Sequence, residues 1–452
     1  MIKLALENKK FIIVIPIEVK TRELNSRLLL SLEILKRLNC EIIIGSQRDM
    51  GNYFSNMKNC LYLDKSISIK KTEFIKKIKK KNTYFSLDEE GSYYWFEDLT
   101  FKSRFSKNLM KFTDKILLWG KNDEIFLRKK KIFNKKKFYI LGNPKFDLIK
   151  KKYSLFYDKD KSYLIKKYGK FVLCVSSFVT NCDNIKDSIV SKEFIKKNYL
   201  STKIQKKKYE KFVNDKRIYE NYLHFVERCK QIALKHPNKT VIFRPHPFQD
   251  IKLVKKRFGK MPNNFKIIFK NELSPWIMAC DYYIHAGCSS VLEAAVLKKK
   301  IINFTKMNFL KRHFIFKKIT TPNLSHINKG FLRMKINSNK INIKDISKII
   351  TNLTDCVNYD EIVKVIKIYK RHNSEFYKEN IFKRYSRRSL SLIKNYGERK
   401  YFTKRYKDTK LKEIKLSDIK TKVSNFDLID KKKNNFQIHQ FDYNLFKISR
   451  SN

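Results

Sequence analysis

None of the eight cysteines in this 452-residue chain stands in a C-x-x-C pair or at a zinc-like spacing. That excludes zinc ribbons and dithiol redox motifs. Cys174 and Cys280 fall in apolar runs, as reduced core thiols of a cytoplasmic protein do. No apolar stretch approaches the ~18 residues of a membrane span. Phe11–Ile15 follows two lysines like a signal sequence, but Glu18, Lys20 and Arg22 come at once, with no small-residue cleavage site. The run reads as a first strand. There is no Walker-type loop, no G-x-S-x-G, no G-x-G-x-x-G after the first strand and no short repeat. P-loop, hydrolase-elbow, dinucleotide-fingerprint and solenoid readings are thereby removed.

Acidic residues are few: 43 Asp and Glu against 102 Lys and Arg, a formal net charge of +59. Such an excess ordinarily points to nucleic acid or an anionic membrane. Here it is mostly lysine, spread along the chain and accompanied by abundant Asn, Ile, Phe and Tyr, the signature of a compositional bias. It counts for about half its face value. With no RNP-like aromatic motif or arginine-rich patch, no specific nucleic-acid partner is expected, and a basic RNA-binding or scaffold protein stands as the non-enzyme alternative. At 42% hydrophobic residues the chain can bury two or three cores.

The organising stretch is 240–304. Thr240–Phe243 reads as a buried strand stopped by Arg244-Pro245-His246-Pro247. A strand at Phe265–Phe269 follows, then Ser274-Pro275-Trp276 as cap and first-turn proline of a short helix closing at Asp281. Tyr282–His285 is a third strand, Ala286-Gly287-Cys288-Ser289-Ser290 a turn, Val291–Leu297 a helix and Ile301–Phe304 a fourth strand. This alternation predicts an open parallel sheet, with ligands at the carboxyl ends of its strands. Gly287 permits close backbone approach, and Ser289 and Ser290 stand at a helix start suited to phosphate. Glu293 is one turn on, within reach of ribose hydroxyls. His246 and Arg244 project from the neighbouring strand end. Taken singly, each is more often a cap or a turn residue.

Upstream, a strand (Phe11–Ile17), a helix (Leu24–Leu38) and a strand (Glu41–Gly45) open as βαβ. A strand at Thr83–Leu87 runs into Asp88-Glu89-Glu90-Gly91. Adjacent carboxylates raise one another's pKa toward the range of a general base, although a solvated turn paired with lysines is equally compatible. Lys150–Lys170 reads as the interdomain connection, and Asp158-Lys159-Asp160 within it as solvated rather than metal-binding. Residues 186–236 are read as mostly helical. The last fifty or so residues are basic, without clear apolar periodicity, and read as a tail or surface extension.

Glu89-Glu90-Gly91, His246-Pro247 and Ser289-Ser290, in that order, resemble the GT-B glycosyltransferases that use CMP-activated sugars, the bacterial sialyltransferases and polysialyltransferases. Leu118–Asp123, Gly142–Asp147 and Arg22-Glu23-Leu24 resemble bacterial surface carbohydrate biosynthesis proteins. The resemblance covers roughly residues 10–305. It implies two facing Rossmann-like α/β domains with parallel sheets (1–150 for the acceptor, 151–340 for the nucleotide-sugar) and a helical, basic extension (341–452). A cleft would bring the acidic turn toward the histidine and serines. It further implies a metal- and cofactor-independent transfer from a CMP-sugar to a surface glycan or lipid-linked acceptor. Glu89 would be the base, with Glu90 as fallback, and His246 would stabilise the departing phosphate. Ser289 and Ser290 would hold that phosphate, with Arg244, His285, Gly287 and Glu293 completing the binding residues. Lysines would let the protein dwell on the anionic inner leaflet. The Arg244–Pro247 run also resembles CDP-glycerol glycerophosphotransferases, and the architecture that of UDP-GlcNAc epimerases, whose glycine-rich turn His285–Cys288 replaces.

Overall fold

A computed structural model describes residues 10–89, 101, 103–178, 216–247, 249–270, 272–306, 343–371, 373–377 and 413–451. Its strands are β1 (Ile12–Ile17), β2 (Glu41–Ser46), β3 (Met57–Lys58), β4 (Leu61–Asp64), β5 (Thr83–Leu87), β6 (Lys115–Leu118), β7 (Phe138–Ile140), β8 (Val172–Val175), β9 (Val241–Arg244), β10 (Phe265–Ile267), β11 (Tyr282–His285), β12 (Lys300–Asn303), β13 (Glu375–Phe376), β14 (Phe436–Asp442) and β15 (Leu445–Arg450). The chain is mixed α/β with parallel sheets, in two compact units. The first comprises 1–148, 347–400 and 410–452; the second comprises 149–346 and 401–409.

In the first unit the sheet order is β14-β15-β2-β1-β4-β5-β6-β7. From β2 to β7 every pairing is parallel. The β-branched runs are buried on both faces, as a sheet covered by helices requires. Pro16 sits inside β1 without breaking it, because the β1–β4 ladder reaches only Val14↔Tyr62 and the missing N–H lies beyond it. The Lys20–Leu35 helix is buried at every residue from Glu23 to Leu35, its polar ones included. The chain leaves β1 for β2 on one side and returns to β4 on the other. The topological switch point therefore lies between β1 and β4.

The second unit holds five parallel strands ordered β10-β9-β8-β11-β12. Its switch point lies between β8 and β11. Its core packs Phe225, Phe243, Phe258 and Ile284 around the sheet.

Lys150–Lys170, read as the interdomain connection, begins where the two units divide and contains a helix, Asp158–Tyr168, with Asp158 and Asp160 in its first turn and Gly169 at its end. Two expectations change. Near the end of the chain, Leu416–Asp430 forms a helix, and β14–β15 form a hairpin that pairs antiparallel with β2. These residues complete the first sheet instead of trailing from it. Gly45 is what admits the hairpin, since a Cβ there would meet the Asn444 carbonyl oxygen at 2.0 Å. Ser274 is not the N-cap expected, because Leu273 holds that position.

Candidate functional site

The carboxyl ends of β1, β4 and β5 carry a cluster of buried charge. Glu89, two residues past β5, is 6% exposed, and its N–H donates to the Lys65 carbonyl at 2.9 Å. Its Oε1 lies 2.8 Å from Nη2 of Arg27, itself 1% exposed, on the buried helix. The same Nη2 donates to the Leu87 carbonyl at 2.6 Å. Burial raises the Glu89 pKa, Arg27 opposes this, and the neighbouring Glu23 adds to the rise.

Beside it, Lys65 pairs with Glu18 and stands 3.6 Å from Oε1 of Glu23. Glu23 Oε2 accepts the Glu18 N–H at 2.7 Å. Burial alone would lower the Lys65 pKa, but Glu23 and Glu18 more than offset it, and the ammonium stays charged. Three carboxylates and two cations thus meet at the switch point, where a parallel sheet binds its ligand. The sequence pattern singled out Glu89 as a candidate but not Arg27 or Lys65. The available signal was Glu23 and Arg27, four apart on one face of a leucine-rich helix.

The two motifs at Leu118–Asp123 and Gly142–Asp147 hold this turn. Trp119 Nε1 and Asn143 Nδ2 both donate to the Asp88 carbonyl, at 2.5 and 3.1 Å, and Arg104 pairs with the Asp88 carboxylate. Asp123 accepts from the N–H groups of Trp119 and Gly120, capping its helix from the third position. Asp147 takes Asn352 Nδ2, the Val357 N–H and the Tyr359 hydroxyl, fastening the returning segment. Glu90 lies outside the described residues.

In the second unit, register aligns Arg244, Val175, His285 and Asn303 in a row across the strand ends. His285 is fully buried, and burial pushes its pKa down to about 3. Its Nδ1 accepts the N–H groups of Gly287 and Cys288 at 3.1 and 3.2 Å. Gly287 has φ 96°, the left-handed conformation this turn needs. The imidazole is therefore a neutral acceptor that engages two amides of the turn.

Ser290 is buried and shares hydrogen bonds with the Tyr283 hydroxyl (2.5 Å) and Cys288 Sγ (2.9 Å), while Ser289 is exposed. Glu293 is buried and accepts from Ser274 Oγ at 2.8 Å. Arg244 donates to the Lys270 carbonyl at 2.8 Å, with its guanidinium over the rings of Phe269 and Trp276. His246 is half-buried; its N–H donates to Gln249 Oε1 at 2.9 Å. At the switch point, Ser177 Oγ donates to the Ala286 carbonyl at 3.1 Å. Ser289 is thus exposed and His246 half-buried, while Arg244, His285, Ser290 and Glu293 are buried. Among the described residues no group of three or more His, Cys, Asp or Glu is arranged to hold a metal ion.

The parallel sheets define an α/β chain with clusters of polar and charged residues at the carboxyl ends of its strands. No family model and no curated protein matches it. Among solved structures it is similar to MnaA of S. aureus in complex with UDP, at 13% identity and TM-score 0.48, over 80% of this chain and 96% of that one. It is similar to the UDP-GlcNAc 2-epimerase of Neisseria meningitidis bound to UDP-GlcNAc, at 11% identity and TM-score 0.47, over 79% and 99%. The wall teichoic acid polymerase TagF (H548A) is similar at 8% identity and TM-score 0.48, over 80% and 89%. No helix among the described residues is long and apolar enough to cross a membrane.

Proposed function

We propose that this protein is a glycosyltransferase that moves a sugar from a CMP-activated donor to a cell-surface glycan acceptor, by inversion and with no metal. One observation carries the reading: a carboxylate, Glu89, is buried at the switch point of a parallel sheet with its proton affinity raised, the state a general base needs. Glu89 takes the acceptor hydroxyl's proton. The departing CMP phosphate is received in the second unit by the half-buried His246 and the exposed Ser289. Arg244, His285, Gly287, Ser290 and Glu293 shape the nucleotide site, and the lysine excess holds the enzyme on an anionic membrane surface.

Thermal-shift titration with CMP, CDP, UDP and GDP tests the donor. A ligand that binds only the folded protein raises the melting point, by the equivalent of about 2.7 kcal/mol at a hundred times its dissociation constant. CMP is expected to raise it; a rise with UDP alone overturns the assignment. His246→Ala is expected to abolish CMP release from a CMP-sugar while the melting curve stays in place. An unaltered rate removes His246 from the chemistry.

A further inference from the structure

We propose that Arg27 is a positioning residue for the Glu89 base, tying that carboxylate to the backbone end of β5 so that Oε2 receives the acceptor's proton. The inference rests on the reading of Glu89 given above and deepens it.

The geometry is specific. One nitrogen, Nη2, bridges the Leu87 carbonyl (2.6 Å) and Glu89 Oε1 (2.8 Å), so the guanidinium fixes the carboxylate relative to the strand from which it emerges. An arginine carries five N–H donors in a fixed planar fork, so a contact made by one nitrogen sets the orientation of the whole group. Arg27 gives Nη2 to this strand end, and its Nε and Nη1 have no hydrogen-bond partner among the described residues. With Oε1 engaged, Oε2 is the oxygen left to the acceptor. In the reaction the acceptor O–H bond breaks and Oε2–H forms. The freed electron pair makes the new bond to the anomeric carbon, whose bond to the phosphate oxygen breaks with its pair leaving on CMP.

The other charges around Glu89 are arranged differently. Arg22 on the same helix is exposed, and Lys145 on the Pro144–Asp147 helix is half-buried. Glu23 opposes ionisation of Glu89. Lys65 faces Glu18 and Glu23, and Arg104 faces Asp88. Among the described residues, Arg27 is the cation in direct contact with Glu89.

The test uses the full-length protein labelled with 13C at the glutamate carboxyl carbons, the Glu89 resonance being assigned by its loss in Glu89→Gln. In wild type it is expected to titrate above 4.5. In Arg27→Gln the midpoint is expected to rise by a further one to two pH units, roughly the effect of removing an adjacent guanidinium. Arg27→Lys keeps the charge but loses the two-acceptor grip. Its midpoint is expected near wild type, and its kcat for CMP release from CMP-N-acetylneuraminate is expected to fall about tenfold with KM unchanged, roughly the loss a slightly misplaced base gives. An unmoved midpoint in Arg27→Gln together with wild-type kcat in Arg27→Lys overturns the proposal. If Arg27→Gln does not fold, wild-type kcat in Arg27→Lys overturns it alone. Should Glu89→Gln retain wild-type turnover, the base reading fails instead, and the titration still reports whether Arg27 governs Glu89.

Discussion

The two rims solve the same problem with opposite chemistry. In the first unit, Glu18, Glu23 and Glu89 are packed against Lys65 and Arg27, so burial is tolerated by pairing ions. In the second, charge is largely avoided. His285 stays neutral, a Tyr283–Ser290–Cys288 chain supplies hydroxyl and thiol groups, and the Arg244 guanidinium lies over two aromatic rings. Burial raises the proton affinity of Glu89 in the first rim, whereas the second rim is held by hydrogen bonds between uncharged groups.

The comparison breaks most visibly if the first rim is unpaired. Arg27→Ala leaves Glu89 buried without the guanidinium and is expected to cost about 3–5 kcal/mol, read from urea denaturation. A loss below about 1 kcal/mol would show that the ions are not interdependent.

The next effect is pH-dependent and distinguishes the units by sign. A histidine whose folded pKa is depressed from 6.5 to about 3 binds fewer protons folded than unfolded. Stability therefore falls as pH drops through that window, by up to about 1.4 kcal/mol per pH unit. His285→Gln should flatten this dependence in scans between pH 7 and 4. An unchanged slope would mean that His285 ionises in place. The smallest effect belongs to Ser289→Ala: stability within about 0.5 kcal/mol of wild type, as at an exposed site, with CMP affinity reduced. Isothermal titration separates the two.

Much of this architecture was legible because short apolar runs that stop at a charged, proline or small-residue turn state a buried strand without help from the rest of the chain. β5, β9 and β11 fall where their residues indicate. Their order in the sheets was not legible, since it depends on contacts distant in sequence. Arg27 was hidden for a related reason: helical spacing marks the leucines of Lys20–Leu35 as a buried face but cannot show that the polar face is buried too. The hairpin near the end of the chain left a fainter trace. Phe436, Ile438 and Leu445, Phe446 and Ile448 alternate only in part, around a turn at Asn444 that takes positive φ. Lysines around them obscured a period of two. Of the site, Glu89 and the His285–Ser290 turn could be located from strand ends, whereas the division of the latter into buried and exposed residues needed coordinates.

Burial outweighs the guanidinium at Glu89, and stability against pH measures this most directly. A carboxyl whose folded pKa exceeds its unfolded value of about 4.5 binds more protons folded. Wild-type stability should therefore fall as pH rises from 4.5 toward the folded pKa, and Glu89→Gln, which cannot ionise, should gain relative to wild type across that interval. If wild type instead gains on Glu89→Gln as pH rises, the carboxylate is held as a simple ion pair and is no base.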